Sequence, residues 1–168
     1  ILLREDHQKA KDLINKFIWL NFVDDEQIFI SKNKKSFSRF DKVKVIDIMK
    51  YQNSNSKLPL WLTVEGKKGL RALLRYDSKI DNVGYEDHYF TNDPLPKEWG
   101  KNIISLIRSG KSKLGMSKRQ LRNSIGNPDV INHTSSRHGI SEQWIYNLKN
   151  SKKIYYQFEN GILSFINK

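Results

Sequence analysis

Histidines and carboxylates are few enough in this chain to be weighed one by one. Asp129, His133 and His138 share one short stretch and together offer the donor types that hold a metal ion. Their spacing matches no standard zinc pattern, and Thr134-Ser135-Ser136 and Gly139 give the stretch the character of a loop. They read as ordinary loop histidines, and no metal is expected. Asp87-His88 invites a general-base reading, because an imidazole titrates close to neutral pH. Tyr85, Tyr89 and Phe90 around it favour a packing or surface histidine instead. No Gly-x-Ser-x-Gly elbow, P-loop, dinucleotide fingerprint or His-Glu-x-x-His helix is present. The absence of cysteine removes disulfides, thiolate metal sites and a Cys nucleophile together. The expectation is a protein without catalytic residues or a cofactor.

Charge carries more information. The formal net charge is +12, and it is unevenly spread. Residues 1–96 hold 17 Lys/Arg against 14 Asp/Glu, whereas residues 97–168 hold 13 against 4. The candidate binding patch is Lys111, Lys113, Lys118, Arg119 and Arg122, whose field would attract phosphate groups, anionic lipid or an acidic protein face. A solvated helical face is the alternative. Trp144, Tyr146, Tyr155, Tyr156 and Phe158 would suit the stacking of nucleobases beside such a patch, but Trp144/Tyr146 and Tyr156/Phe158 fall at the regular inward positions of strands. Packing is the preferred reading, with Tyr155 on the opposite parity.

The elements that must position these residues follow from local signals. Ser117 is an N-cap with Gln120 at the third helical position, and Met116 and Leu121 have the spacing of a hydrophobic staple. Gly126 suits the residue after the helix, with Pro128 beyond it. Trp144/Tyr146/Leu148, Ile154/Tyr156/Phe158 and Ile162/Ser164/Ile166 alternate at period two, and Asn160-Gly161 is a hairpin signal. At the other end, Leu3, Ala10, Leu13, Ile14 and Phe17 predict an amphipathic helix over 2–16. Strands are expected at 27–30, 43–48, 58–64 and 70–74, with a polar loop at 52–57 and a tight connection at Glu65-Gly66-Lys67-Lys68-Gly69.

The C-terminal pattern of Ile107, Gly115-Met116-Ser117, Leu121, Gly126, Pro128, Gln143-Trp144-Ile145-Tyr146, Tyr155-Tyr156, Phe158 and Gly161 resembles the SmpA/OmlA family of small outer-membrane assembly lipoproteins. That resemblance implies two helices packed on a three-stranded antiparallel sheet, a fold similar to that of the proteinaceous β-lactamase inhibitors. It also implies a non-catalytic envelope protein that contacts other proteins or anionic lipid. Roughly a hundred residues precede the domain, whereas members of that family are short chains. The valine/isoleucine strand at 43–48, the loop, and Trp61 to Gly69 resemble bacterial SH3-like barrels, although Leu70 and Arg71 stand where that family carries Trp and Val. Such modules serve as adaptors for wall polymers or peptides.

The expected fold is α+β. It comprises an amphipathic helix at 1–17, an SH3-like β-barrel at 18–93, a linker at 94–98 whose prolines oppose helix and central strand, and an SmpA/OmlA-like domain at 99–168. The expected function is a non-enzymatic binding or scaffold protein of the bacterial cell envelope, periplasmic or exported, with a protein partner or anionic lipid or wall polymer as its ligand. Nucleic-acid binding through the basic helix hairpin is the alternative. No apolar run is long enough to span a membrane. The start at Ile1 without Met predicts that a leader, tag or longer N-terminus has been removed; a lipoprotein's single lipid-bearing cysteine would lie in such a leader, and the attachment is expected to be peripheral or lipid-anchored.

Overall fold

The computed structural model describes residues 4–50, 60–80 and 87–168. The polar loop expected at 52–57, Leu58, Leu3 and Tyr85 lie outside them. The chain is α+β and divides into two compact units, Ile1–Leu95 and Pro96–Lys168. No helix among the described residues is long and apolar enough to cross a membrane.

The first unit is built on a six-stranded antiparallel sheet, curled into a half-barrel. Its elements are α1 (Arg4–Lys11), β1 (Phe17–Leu20), β2 (Phe29–Ile30), β3 (Lys42–Lys50), β4 (Leu60–Glu65), β5 (Arg71–Arg75) and β6 (Tyr89–Phe90). They are ordered β2-β5-β4-β3-β1-β6. Alternation sets the core: Ile18 and Leu20, Val43 and Val45, Leu60, Leu62 and Val64, and Ala72 and Leu74 point inward with Phe29, Phe37 and Tyr89. The expected helix to residue 16 ends at Lys11; tighter i→i−3 turns follow, and Asn15, at a left-handed φ of 69°, turns the chain toward the sheet. Its N–H donates to the Val45 carbonyl at 2.8 Å, and Val45 N–H returns a bond to Lys16. Leu13 and Ile14 still pack on the core, but Phe17 begins a strand and is 51% exposed.

Between β4 and β5 the connection closes through Gly66 N–H to the Leu70 carbonyl at 2.8 Å, with Lys68 and Gly69 at positive φ. Gly66 is needed for a different reason. A Cβ there would stand 2.8 Å from the ring of Phe37, which is buried and meets Phe29 edge-on. Gly66→Ala is therefore expected to lower stability by about 1–2 kcal/mol through overpacking, read as a shift of the urea midpoint. An unchanged midpoint would show that the Phe37 ring moves without cost.

The segment before the second unit buries Pro94 and Leu95, and Lys97–Trp99 forms a turn of 3-10 helix. The second unit continues with α2 (Gly100–Arg108), α3 (Lys118–Ile125), β7 (Val130–Ser136), β8 (Gly139–Asn147), β9 (Lys153–Glu159) and β10 (Ile162–Asn167). The capping box of α3 is complete: Gln120 N–H donates to Ser117 Oγ at 3.2 Å, and Ser117 N–H donates to Gln120 Oε1 at 2.9 Å. Met116 and Leu121 are both fully buried, as the staple requires. Tyr146 Oη donates to the Gly126 carbonyl at 2.7 Å, pinning the end of α3 to β8.

The sheet has four strands, in order β10-β9-β8-β7, and not the expected three. Residues 130–136, read from sequence as a loop, pair with β8 over seven residues. Every residue of β7 is exposed, so no face of it had to be apolar and no period-two pattern was written into it. A second correction falls on β10. Ile162 pairs with Glu159 and points out, 48% exposed, while Leu163 pairs with Phe158 and points to the core; a bulge between Leu163 and Phe165 then shifts the register and turns Phe165 outward. Asn160 and Gly161 both adopt positive φ at the β9–β10 turn, as a tight hairpin demands.

Candidate functional site

The five basic residues fall into two groups. Lys111, Lys113 and Arg119 are exposed, with the Arg119 guanidinium 5.3 Å from the centre of the Trp99 ring. Lys118 and Arg122 turn toward the sheet. Lys118 Nζ donates to Glu142 Oε1 at 3.0 Å, and the Arg122 guanidinium lies 5.0 Å from the centre of the buried Trp144 ring. Their charge serves the packing of α3, which leaves Lys111, Lys113 and Arg119 as the exposed members of the five.

Glu142 organises this inner layer. Its side chain is 11% exposed. Oε1 accepts from Lys118 and lies 3.4 Å from His133 Nδ1, and Oε2 accepts from Trp144 Nε1 at 3.0 Å. Burial pushes the carboxyl upward, but the hydrogen bonds from Lys118 and Trp144 and the charges of Lys118 and His133 together hold it below the usual carboxylate value. Held in its ionised form by these partners, the carboxylate ties α3 to β8.

The other residues with chemistry in them are dispersed. Asp129 Oδ2 accepts from Asn147 N–H at 2.6 Å, His133 is drawn to Glu142, and His138 sits exposed in the β7–β8 hairpin. Among the described residues no three His, Cys, Asp or Glu side chains gather as metal ligands would. The Asp87 carbonyl accepts from Asn21 Nδ2 at 2.7 Å. His88 Nδ1 lies 3.1 Å from the Arg75 carbonyl, a partner that can only accept.

The opposite face of the C-terminal sheet was not singled out in the sequence. Register places Gln143 and Ile145 of β8, Tyr155, Gln157 and Glu159 of β9, and Phe165 and Asn167 of β10 there, away from Trp144, Tyr156 and Phe158. All of them except Ile145, together with Ser164, border an open concavity of about 410 Å³. Ser141 Oγ donates to Glu159, and Gln157 Nε2 donates to Ser141 Oγ at 3.3 Å. The floor is thus a fixed amide and hydroxyl network, and Phe165 rises beside it 60% exposed. The odd-numbered parity Tyr155, Gln157, Glu159 was the available signal; Phe165 was hidden by the bulge.

No protein-family model matches the chain, and no curated protein matches it. One solved structure, named as a putative beta-lactamase inhibitor protein from Streptococcus mutans, aligns over 98% of this chain and 95% of its own, at 14% identity and a TM-score of 0.31. A likeness at that level carries no argument about fold or function.

Proposed function

We propose that this chain is a non-enzymatic binding module of the bacterial cell envelope, periplasmic or exported, that holds a protein partner on the outer face of its C-terminal sheet. The observation that carries this reading is the exposed Phe165 in one concavity with Tyr155, next to a Gln157 amide held by Ser141 and Glu159. Aromatic anchors with orienting polar groups are what protein interfaces concentrate, while Lys and Glu are depleted at their cores. The finer reading of the fold belongs with it: an SH3-like half-barrel preceded by a helix, followed by an SmpA/OmlA-like unit enlarged by one strand. Peripheral or lipid-anchored attachment is part of the same proposal. The exposed cations of the hairpin, Lys111, Lys113 and Arg119, favour an auxiliary contact with anionic lipid or wall polymer, each worth about 1 kcal/mol near a charged surface.

Photo-crosslinking tests the reading. A photoreactive residue in place of Phe165 or Tyr155 is expected to capture one protein reproducibly, while the same residue in place of Lys113 or Arg119 captures lipid or polymer or little. Capture of oligonucleotides at Lys113 and Arg119, with nothing at Phe165, would replace this function with nucleic-acid binding.

A further inference from the structure

The half-barrel of the first unit carries a charged surface of its own, on the side away from its core. Register sets one row across four strands: Phe17 of β1 stands opposite Lys44 of β3, Lys44 opposite Glu65 of β4, and Glu65 opposite Arg71 of β5. Their neighbours Ile18, Val43, Val45, Val64 and Ala72 are all buried, so alternation turns the row outward. Lys16 precedes Phe17, Lys67 and Lys68 form the turn after Glu65, and all three are exposed. With Lys42, opposite Trp19, these cations surround the row. Three carboxylates lie near them. Glu65 is paired with Arg71 at 3.5 Å, Asp41 Oδ2 accepts from Ser38 N–H at 2.8 Å, and Asp47 stands one row further on, opposite Thr63. The surplus is local, since residues 1–96 as a whole hold 17 Lys/Arg against 14 Asp/Glu. Phe17 sits among the lysines, 51% exposed. Strand β6 pairs only with Trp19 and Leu20 and does not extend past it. The Lys42 ammonium lies 4.7 Å from the centre of the Phe17 ring and 5.4 Å from that of Trp19.

We infer that this row is a bilayer-contact surface, with Phe17 entering the boundary between headgroups and acyl chains of an anionic membrane while the surrounding lysines meet lipid phosphates. Charge and the setting of the ring select this occupant. The positive field calls for an anionic surface. Aromatic side chains concentrate at the headgroup level of membranes, and lysines beside them lay their apolar stems along the boundary and keep their ammonium groups in water. A single-stranded nucleic acid needs the flat of the ring for a base, and the Lys42 ammonium already stands over one face of Phe17. A headgroup phosphate uses that ammonium, and hydrocarbon needs only the exposed edge of the ring. An acidic protein face would have to bury the lysines around Phe17, and lysine is depleted at the cores of protein interfaces. The surface stands apart from the outer face of the C-terminal sheet, and either can fail without the other.

Co-sedimentation of the full chain with lipid vesicles tests this. Binding is expected to phosphatidylcholine vesicles carrying about 30% phosphatidylglycerol and not to phosphatidylcholine alone, and it should fall as salt rises. Lys16→Glu with Lys67→Glu, both outside the strands, should weaken it by roughly tenfold or more while the unfolding transition is kept. Phe17→Ser should weaken it by roughly fivefold, a loss that charge alone would not produce. The absence of native cysteine allows a direct readout. A nitrobenzoxadiazole label on Phe17→Cys should shift its emission to the blue on the anionic vesicles, and the same label on Asn150→Cys, in the exposed β8–β9 turn, should not. No binding to the anionic vesicles, binding unchanged by Lys16→Glu with Lys67→Glu, or equal shifts at the two labels would overturn the inference, and would leave capture of a protein at Phe165 untouched. Loss of vesicle binding only with Lys113→Glu and Arg119→Glu would overturn it in favour of the α2–α3 hairpin. An oligonucleotide bound at the Phe17 label where vesicles are not would overturn it in favour of nucleic acid.

Discussion

Replacing Trp144 by alanine is expected to cost the C-terminal unit about 3–5 kcal/mol, the largest effect of any single substitution considered. The indole is 1% exposed. Its ring packs against Phe158 with centres 4.7 Å apart, the Arg122 guanidinium covers it, and its N–H donates to Glu142. Truncation opens a cavity beside Phe158, which is fully buried. It also removes the donor to Glu142 Oε2 and the ring face against which the Arg122 guanidinium packs. The measurement is the urea transition of the full chain, followed by far-ultraviolet circular dichroism. A near-neutral result would place the indole at the surface, where it could stack a nucleobase; a large loss removes that role.

Glu142→Gln is the second large effect, about 2–3 kcal/mol at neutral pH. Glutamine can accept from only one of the two donors, since its amide NH₂ would face either the Lys118 ammonium or the Trp144 N–H. The loss should depend on pH with a definite sign. The folded-state pKa of Glu142 lies below its ordinary value of 4.5, so the stabilisation is fully present above the unfolded pKa and disappears as pH falls through the folded one. The two proteins should therefore differ most at neutral pH and converge in strong acid. A constant gap at every pH would mean that the packing of residue 142, and not its charge, supports the unit.

Much of the C-terminal unit was legible because its signals are local. Ser117 and Gln120 are three residues apart, Asn160-Gly161 is one turn, and the burial of Trp144, Tyr156 and Phe158 follows from alternation within single strands. Strand β7 was not legible, since a strand exposed on both faces has no reason to alternate. The bulge in β10 was equally silent and hid Phe165, while Ile162 is set outward by its pairing with Glu159. In the first unit, a helix whose apolar spacing ran on to Phe17 gave way after Lys11 to tight turns that close at the left-handed Asn15. The candidate site divides in the same way. Composition showed that the α2–α3 hairpin is basic, but Lys118 meets its carboxylate 24 residues away, and only the folded chain shows that two of the five cations are engaged in packing. The outer face required the register of three strands at once.

The central claim is that the outer face of the C-terminal sheet, and not the basic hairpin, carries the partner. It is tested most directly by titrating the protein captured at Phe165 against two double variants that keep the wild-type unfolding transition. Tyr155→Ala with Phe165→Ala is predicted to weaken binding by about a hundredfold, the loss of two aromatic anchors. Lys113→Glu with Arg119→Glu is predicted to change it by less than about threefold at physiological salt. The reverse ranking, with affinity lost through the hairpin and kept without the aromatics, would contradict the account.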